Sequence, residues 1–537
     1  MPALAQARLQ PFPGQAEPGR NVPPPAPPAV PQFEFSIPAP QRGPVPRAVD
    51  EIEFNVSNIV IVGAKQFTAA DFKPLIAPLI GHNAKLSDIV GVADKIESLY
   101  RAHGFVLTRA FVPPQTVSNG VFRINVVEGY VRAAAVNGGD TALRERVEAY
   151  VAPATKERPA TLGSIERGLL LANDLPGVTA AGLLRPSPTE AGASDLLINL
   201  AQVPWQVTIY SDNRGGESTG VYTLGAQLVA NQLYLIPGQL SFDVSGTPGL
   251  NQRRLFQLNY ALPVGLSGTI LNFAGVLAHG VPAALSGNLV SDSYALSARV
   301  DYPLIVSRAT RVTLEGGLSV QAETVSLAGG GAAIDDDNWR DAEAAVTLHK
   351  HGLLLESDTG ATFGVTQGIP SFGSTTSSGE DVSTSFTKYT LVAQHDQPLV
   401  GPVSASFHAL GQYTRERLMI GEQTSFGGSG IGRGYDPAAL SGDIGLGVAS
   451  ELRYDVHLPR YYIDTAQFYL FFDAAKVRGH GQATSNESLL STGLGVRVAL
   501  LQALSGGVEF AQELRGVPNV DQGRTGARIL FNAAVRF

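Results

Sequence analysis

Apolar and polar side chains alternate through the last eleven residues of the chain, Ala527 to Phe537. One face of an extended strand carries Ile529, Phe531, Ala533, Val535 and Phe537, and the other carries Arg528, Asn532, Ala534 and Arg536, with Leu530 as the apolar exception. In a membrane barrel the lipid-facing positions must be apolar, whereas positions facing the lumen can be charged. The pattern favours the closing strand of an outer-membrane β-barrel. A strand of a soluble sheet alternates in the same way, so the C-terminal segment alone is compatible with either a membrane barrel or a soluble sheet.

The same alternation recurs from Trp205 to Phe537, where helical periodicity is nearly absent. Clear examples are residues 222–228, 256–262, 294–302 and 405–413. Tyrosines stand at several segment ends, as in the aromatic girdles of barrels. At roughly 20 residues for each strand and its loop, this region predicts about sixteen strands, an even number as bacterial barrels require. No stretch approaches the roughly 20 uninterrupted apolar residues of a membrane helix.

Helical and strand patterns are mixed between Phe54 and Gln202. A helix is predicted at 87–103, because Ile89, Val92, Ile96 and Tyr100 form one apolar stripe at spacings of three and four. The other predicted elements of this first unit are a weak helix at 67–80 and strands at 56–62, 106–112 and 121–127. A second unit follows, with strands at 131–136, 178–184 and 195–202 and helices at 143–151 and 162–173. The order predicts two successive β-α-α-β-β modules before the barrel.

Composition narrows the possible functions of the 537-residue chain. Charged residues make up 16%, and the mean hydropathy is +0.07, which suits a barrel in which only alternate residues meet lipid. Cysteine is absent, which excludes disulfides and thiolate metal sites. The net charge of −8 argues against a broad nucleic-acid surface.

No motif for a catalytic or cofactor site emerges from the sequence. Gly430, Gly432 and Gly434 resemble a phosphate-binding loop, but Asp436-Pro437 follows where that motif needs a helix. Residues 335–338 (DDDN) are interpreted as a solvated acidic loop, because the remaining ligands of a calcium loop are missing. The histidines show no metal-binding spacing, and no G-x-S-x-G nucleophile motif surrounds Ser429. We therefore expect no enzyme activity, cofactor or metal.

The N-terminal 50 residues differ from the rest. Ala3-Leu4-Ala5 and Ala5-Gln6-Ala7 have the A-x-A pattern of a signal-peptide cleavage site, although no apolar region precedes them. We interpret Met1 as lying near the end of a truncated signal peptide. Residues 8–50 are rich in proline, which removes backbone donors and predicts an extended linker.

A glycine-rich loop within residues 426–454 carries Arg433-Gly434-Tyr435, followed by Gly442-Asp443 and a strand through Glu451. Farther along, residues 471–475 read FFDAA and contain Asp473. Asp473 shares a face with Tyr469 and Phe471, and we assign this face to the lumen because an aspartate facing lipid would be costly. A guanidinium–carboxylate pair is directional and suits a loop that must be anchored inside a wide barrel.

These motifs resemble the signature of two-partner secretion transporters of the TpsB type, the POTRA-plus-barrel family that exports haemolysins and filamentous haemagglutinins. The resemblance implies that Arg433, Gly434 and Tyr435 fold back into the lumen, with Asp473 as the partner of Arg433. Gly442, Asp443 and Glu451 are then expected to support the loop and the next strand. Gly432 and Ala475 depart from the family, which usually has Val and Gly at these positions.

The resemblance extends to the segments before the barrel. Residues 100–105 (YRAHGF) and Glu128-Gly129 resemble the first POTRA domain of the family, and residues 165–178 resemble the second. Asp212-Asn213-Arg214-Gly215 is similar to the first barrel hairpin. Many relatives also have an N-terminal helix that plugs the pore, but the Pro-rich segment shows no comparable helix.

We therefore predict a mainly β protein with a C-terminal transmembrane antiparallel barrel of about sixteen strands, preceded by two α+β POTRA domains. The predicted domains are a signal-peptide remnant and linker (1–50), POTRA domain 1 (51–129), POTRA domain 2 (130–203) and the barrel (204–537). The expected location is the outer membrane of a Gram-negative bacterium, with the POTRA domains in the periplasm.

The resemblance implies that the protein recognises an unfolded secreted partner, a TpsA-type adhesin or haemolysin, and exports it without ATP. We expect a monomer in contact with outer-membrane lipid. An alternative is a POTRA-barrel assembly factor that inserts other outer-membrane proteins, although such inserters generally carry more POTRA domains. A passive porin is a third possibility, against which residues 54–202 argue because a porin needs no POTRA domains.

Overall fold

The computed structural model describes residues 35–36, 53–217, 219–233, 236–281, 289–327, 333–379, 381–456, 463–480, 486–501, 503–517 and 525–537. The predicted signal-peptide remnant, and the Pro-rich linker apart from residues 35–36, lie outside these ranges. The chain divides into two compact units, one within Ala29–Gln202 and one that contains Val203–Phe537.

The N-terminal unit contains four helices and nine strands among its described residues. In chain order they are β1 (Phe35–Ser36), β2 (Glu53–Asn55), β3 (Asn58–Val62), α1 (Ala69–Ile76), β4 (Asn83–Lys85), α2 (Leu86–Ala102), β5 (Arg109–Phe111), β6 (Val121–Val127), β7 (Tyr130–Asn137), α3 (Thr141–Lys156), α4 (Leu162–Asn173), β8 (Val178–Pro186) and β9 (Ala193–Gln202).

The first module packs α2 against a three-stranded sheet of order β3-β6-β5, in which β3 and β6 are parallel. The predicted apolar stripe of α2 is fully buried in its core, from Ile89 to Tyr100. The Tyr100 hydroxyl donates to Glu128 Oε1 at 2.7 Å, and the same oxygen accepts the amides of Lys65 and Gln66. Burial and the hydrogen bond to Glu128 raise the pKa of Tyr100. Tyr100 and Glu128, which both belong to the motifs noted in the sequence, therefore connect α2, the end of β6 and the loop before α1.

The second module repeats the arrangement, with β7 parallel to β9 and β8 antiparallel to β9. The Asp140 side chain accepts the Leu143 amide at the start of α3, and the Thr161 hydroxyl caps α4. A Cβ on Gly168 would lie 2.8 Å from Val151 Cγ1, so glycine permits the close approach of α3 and α4. Three strands of this unit were not predicted. β1 adds to the second-module sheet in parallel with β8, giving the order β1-β8-β9-β7, and the short strands β2 and β4 pair with each other in the first module.

The barrel unit contains strands β10 to β27. Their ranges are β10 (Trp205–Asp212), β11 (Thr223–Leu233), β12 (Ile236–Gly246), β13 (Arg253–Val264), β14 (Thr269–Gly280), β15 (Leu289–Val306), β16 (Thr310–Leu327), β17 (Ala333–His351), β18 (Asp358–Gly368), β19 (Thr387–Pro398), β20 (Val403–Thr414), β21 (Thr424–Phe426), β22 (Leu440–Gly442), β23 (Ile444–Val456), β24 (Ile463–Arg478), β25 (Asn486–Leu500), β26 (Leu504–Glu513) and β27 (Ala527–Arg536). All except β21 and β22 form one closed barrel of sixteen strands.

Adjacent barrel strands are antiparallel, and β27 pairs with β10 to close the ring. The connections 369–386 and 415–443 are the long ones at one end, which we call the loop end. In β27, Ile529 is 68% exposed on the outer face, whereas Leu530 is 3% exposed on the inner face. The predicted fold class is confirmed. Among the described residues, no helix has the length and apolar character needed to cross a bilayer.

The interpretation of the acidic segment 335–338 as a solvated loop is wrong. It belongs to β17, and Asp337 is only 4% exposed. The Asp337 carboxylate accepts bonds from the Thr376 hydroxyl and the Ser377 amide. These hydrogen bonds come from the connection between β18 and β19, which is distant in sequence, so the local pattern could not reveal them.

Candidate functional site

The connection between β20 and β23, residues 415–443, folds back against the inner face of the barrel, and we call it the lumen loop. Its short strands β21 and β22 pair with each other. The Phe426 ring lies against β23, where a Cβ on Gly445 or Gly447 would come within 3.0 or 2.3 Å of ring carbons. Glycine at these two positions makes room for the loop on the barrel wall.

Arg433 lies at the centre of the contacts between the lumen loop and the wall. Its Nε and Nη2 donate to the two carboxylate oxygens of Asp473 on β24 at 3.0 and 2.7 Å. Its Nη1 donates to Glu451 on β23, and the guanidinium lies 3.7 Å from the centre of the Phe471 ring. Arg433 is 4% exposed and Asp473 is fully buried. A two-pronged pair of this kind sets both the position and the orientation of the loop.

The backbone of the loop binds the same carboxylate. The amides of Gly432 and Arg433 donate to Asp473 Oδ2 at 3.1 and 3.0 Å. Gly432 has φ +95°, and a Cβ there would lie 2.9 Å from Leu489 Cδ1. This left-handed backbone, which favours glycine, directs both amides at Asp473. The departure from the family's usual Val is therefore part of this local geometry.

A charged network surrounds the Arg433 pair on the inner wall. Glu451 also accepts from Arg453 and Arg497, and Glu509 accepts from Arg214 and the Tyr469 hydroxyl. The network comprises the arginines Arg214, Arg433, Arg453 and Arg497 and the carboxylates Asp396, Glu451, Asp473 and Glu509. Each arginine is matched by one carboxylate in formal charge. Such pairs hold the loop against the wall through directional contacts.

Gly434 and Tyr435 complete the wall contact. A Cβ on Gly434 would lie 3.0 Å from Ser491 Cβ and 3.1 Å from the Glu513 amide, so glycine lets the loop approach β25 and β26. Tyr435 is 1% exposed, and its hydroxyl contacts the carbonyl oxygens of Leu490 and Arg515. These two residues seat the loop beside Arg433.

Gly442 and Asp443 lie at the end of the lumen loop rather than at the Arg433 pair. Asp443 Oδ1 accepts the Leu418 amide at 2.9 Å, and Oδ2 accepts the His480 amide at 2.6 Å. Gly442 pairs with Thr424 in the β21–β22 ladder. Asp443 therefore joins the start of the lumen loop to the connection after β24.

Sequence reasoning missed a second anchor, Glu422. Its carboxylate accepts from Trp339 Nε1 at 2.7 Å and Gln321 Nε2 at 3.1 Å, and it pairs with Lys388 Nζ at 2.6 Å. These partners belong to β16, β17 and β19 and thus to a different part of the wall from Asp473. The only sequence signal was an acidic residue two positions after the apolar Leu418-Met419-Ile420 run, with Gly421 between them.

Asp436 of the lumen loop also contacts the last barrel strand and the connection between β10 and β11. Asp436 pairs with Arg528 on β27 at 2.9 Å and accepts the Glu217 amide at 2.9 Å. Across the described ranges, no group of three or more His, Cys, Asp or Glu residues is placed to hold a metal ion. The site consists of ion pairs and glycine contacts that position a loop in the lumen.

Comparison with known proteins gives two family matches. Residues 192–498, more than half of the chain, match the family described as "Haemolysin secretion/activation protein ShlB/FhaC/HecB". Residues 54–129 match the ShlB-type POTRA domain. This second match spans the first module described above.

Among curated relatives, the outer membrane transporter CdiB of Escherichia coli is 26% identical over 420 residues, covering 75% of this chain and 69% of the relative. The haemolysin transporter protein ShlB of Serratia marcescens is 25% identical over 440 residues, covering 78% and 72%. The heme/hemopexin transporter protein HuxB of Haemophilus influenzae (strain 86-028NP) is 23% identical over 490 residues, covering 86% and 82%.

Solved structures share the fold. CdiB from Escherichia coli superposes with a TM-score of 0.73 at 21% identity, covering 92% of this chain and 93% of that one. CdiB from Acinetobacter baumannii superposes with a TM-score of 0.63 at 17% identity, covering 94% of this chain and 95% of that one. The closed barrel, the preceding modules and the family match over residues 192–498 agree: the chain belongs to the haemolysin secretion/activation family of outer-membrane two-partner secretion transporters.

Proposed function

We propose that this protein recognises one unfolded partner polypeptide in the periplasm and exports it through the barrel when the lumen loop is displaced. The observation that carries the proposal is the buried pairing of Arg433 with Asp473 and Glu451, which holds the loop inside the lumen. A polypeptide crossing the barrel needs the space that the loop occupies. The anchors are ion pairs and hydrogen bonds, which polar groups of a passing chain can replace.

The location of the protein and its general activity follow from the family. Its members are outer-membrane transporters and not enzymes, and the barrel lies in the outer membrane with the N-terminal modules in the periplasm. Relatives are named for the transport of haemolysin or heme/hemopexin. By analogy, we expect the partner of this chain to be a large secreted adhesin or haemolysin of the TpsA type. The barrel closes within one chain, so we expect a monomer.

Recognition by strand addition is supported by the second module. β1 already pairs in parallel with the outer edge of β8, with Phe35 opposite Gly182 and Ser36 opposite Leu183. The edge therefore accepts an extended segment through backbone hydrogen bonds, which tolerate varied side chains. An unfolded partner that uses this edge has to replace β1.

The direction of transport needs a source of free energy. The sequence offers no nucleotide-binding motif, so we propose that export is driven by folding of the partner outside the cell. Folding removes the unfolded form and draws further chain outward by mass action.

The decisive experiment is co-expression with a candidate partner, a large secreted protein of the TpsA type. We expect that protein in the medium only when the transporter is present, while other outer-membrane proteins stay at normal levels. Export that is independent of the transporter would overturn the proposal.

A second candidate, the assembly factor, is favoured by one observation. BamA from Haemophilus ducreyi lacking POTRA domains 1–3 superposes with a TM-score of 0.51 at 13% identity, which shows a shared fold. An assembly factor would lower the amounts of many outer-membrane proteins when it is removed, so the same experiment separates the two functions.

A further inference from the structure

A groove of about 850 Å³ lies on the outer face of the barrel, across the ends of β19, β20 and β23–β25. Small residues, Gly411 and Ala474, are among its lining. Leu391, Tyr413 and Leu446 flank them and are about half exposed. A Cβ on Gly411 would meet only Leu446 Cδ1, at 3.7 Å, and Gly445 O, at 4.0 Å, so the space above it is open.

Three basic side chains line the same groove: Lys476, Arg478 and Arg515. In the β23–β24 ladder, Lys476 is opposite Leu446 and Arg478 is opposite Ile444, so the charges lie at the loop end of the apolar lining. All three residues are exposed. Within the described parts of the chain, no carboxylate is paired with any of these three side chains.

Barrel topology indicates on which side of the membrane the basic end of the groove lies. β10 begins where the chain leaves the periplasmic modules, so it runs outward across the membrane. Neighbouring barrel strands are antiparallel, and β24 is the thirteenth of the sixteen, so it also runs outward. Its last residue, Arg478, therefore lies at the outer leaflet, with the apolar lining directed towards the bilayer centre.

We propose that this groove binds the lipid A portion of the outer-leaflet glycolipid, with the acyl chains on the apolar lining and the phosphates at Lys476, Arg478 and Arg515. Exposed cations beside an apolar surface at headgroup depth are complementary to an anionic, multiply acylated lipid. Guanidinium groups bind phosphate oxygens in pairs and give such a site its geometry.

The test is a titration of the full-length, detergent-solubilised protein with lipid A in mixed micelles, read by native mass spectrometry. The triple variant Lys476→Gln, Arg478→Gln, Arg515→Gln should bind on the order of a hundredfold more weakly. Arg254→Gln is the matched control, because Arg254 is an exposed residue at the loop end of β13 that does not line the groove. Its affinity for lipid A should equal that of the unchanged protein.

A second variant, Gly411→Leu, keeps all three cations and fills the floor of the groove. It should also weaken lipid A binding, while heat-dependent migration in electrophoresis verifies that the barrel is folded. Unchanged affinity in both variants would overturn the site. Equal binding of phosphatidylglycerol, or full displacement of lipid A by inorganic phosphate, would also overturn it, since the first indicates general attraction to anionic lipid and the second a phosphate pocket without an acyl-chain contribution.

Discussion

Arg433 connects the lumen loop to strands that are far apart in sequence. Its side chain binds Asp473 on β24 and Glu451 on β23, and its Nη1 lies 3.6 Å from Glu509 on β26. The net stability gained from a buried ion pair is small, because desolvation of both charges offsets their attraction. Removing one partner is costly, since the other charge stays buried without compensation. The pair therefore specifies where the loop lies more than it stabilises the barrel.

Arg433→Ala should strongly reduce export while the barrel still folds. The change leaves Asp473 buried without its cation, which weakens loop anchoring by about 3–5 kcal/mol. Secreted partner in the medium measures export, and heat-dependent electrophoretic migration measures barrel folding. Asp243→Asn is the control, because this buried carboxylate binds Tyr210 on β10 and should leave export unchanged. Normal export by the Arg433 variant would contradict the proposed loop role.

Gly432→Val tests whether export depends on the left-handed backbone at Gly432. Valine would restore the usual family residue, but here its Cβ meets Leu489 at 2.9 Å and its backbone has φ +95°. We expect the variant to displace the amides that bind Asp473 and to reduce export, although Arg433 is unchanged. Gly430→Ala is a control, because a Cβ at Gly430 meets no atom within 4 Å. Equal export by the valine and control variants would show that the glycine is dispensable.

At the scale of elements, the lumen loop is anchored at two separate places. Glu422 binds partners on β16, β17 and β19, whereas Arg433 binds partners on β23 and β24. A loop attached at both places spans part of the lumen. Its displacement therefore requires breaking contacts with two regions of the wall.

Glu422→Gln should loosen the first of these attachments. Glutamine is similar in shape but carries no charge for Lys388, and a hydrogen bond to a charged group contributes about 1.5–3 kcal/mol. Single-channel recordings in planar bilayers should show more frequent or larger openings than the unchanged protein. Combined with Arg433→Ala, the increase should exceed that of either change alone. If Arg433→Ala alters conductance and Glu422→Gln does not, Glu422 is only a structural contact.

The pairing of β1 with β8 allows a reversible test of partner recognition. Ser36→Cys with Leu183→Cys places two cysteines at paired positions in a chain that has no other cysteine. Directly paired strand residues lie within the Cα separation that a disulfide spans. The oxidised variant should be unable to export the partner, and reduction should restore export. Each single cysteine variant is the control, and full export by the disulfide-linked form would exclude this edge as the docking surface.

At the scale of the whole molecule, one face of every barrel strand meets lipid. In β27, Phe531 lies on the outer face and Asn532 on the inner one, as the terminal alternation predicts. Phe531→Arg should lower barrel stability by about 2–4 kcal/mol, because a charge is then placed in the bilayer. Asn532→Arg should cost much less, and urea unfolding followed by electrophoretic migration compares the two. Equal losses would contradict the assigned faces.

Regular patterns made much of the fold predictable. The apolar stripe of α2 and the bounds of α4 were predicted from the sequence, because each depends on side chains within one helix. The number of barrel strands followed from a repeated alternation and an average length. By contrast, β1 was missed because a Pro-rich segment carries no strand pattern, and its pairing depends on β8, about 150 residues away. The extension of β17 into the acidic segment depended on distant hydrogen bonds in the same way.

The sequence by itself determined the class of the protein, because strand alternation, module order and the Arg433-Gly434-Tyr435 motif are local features of the chain. It also indicated that Asp473 faces the lumen, since burial of its charge in lipid would be unfavourable. Only the tertiary structure decided that two amides and one guanidinium meet at Asp473, and that Glu422 is bound by Trp339, Gln321 and Lys388. Those contacts depend on strand register and barrel closure, which bring together residues that no local pattern connects.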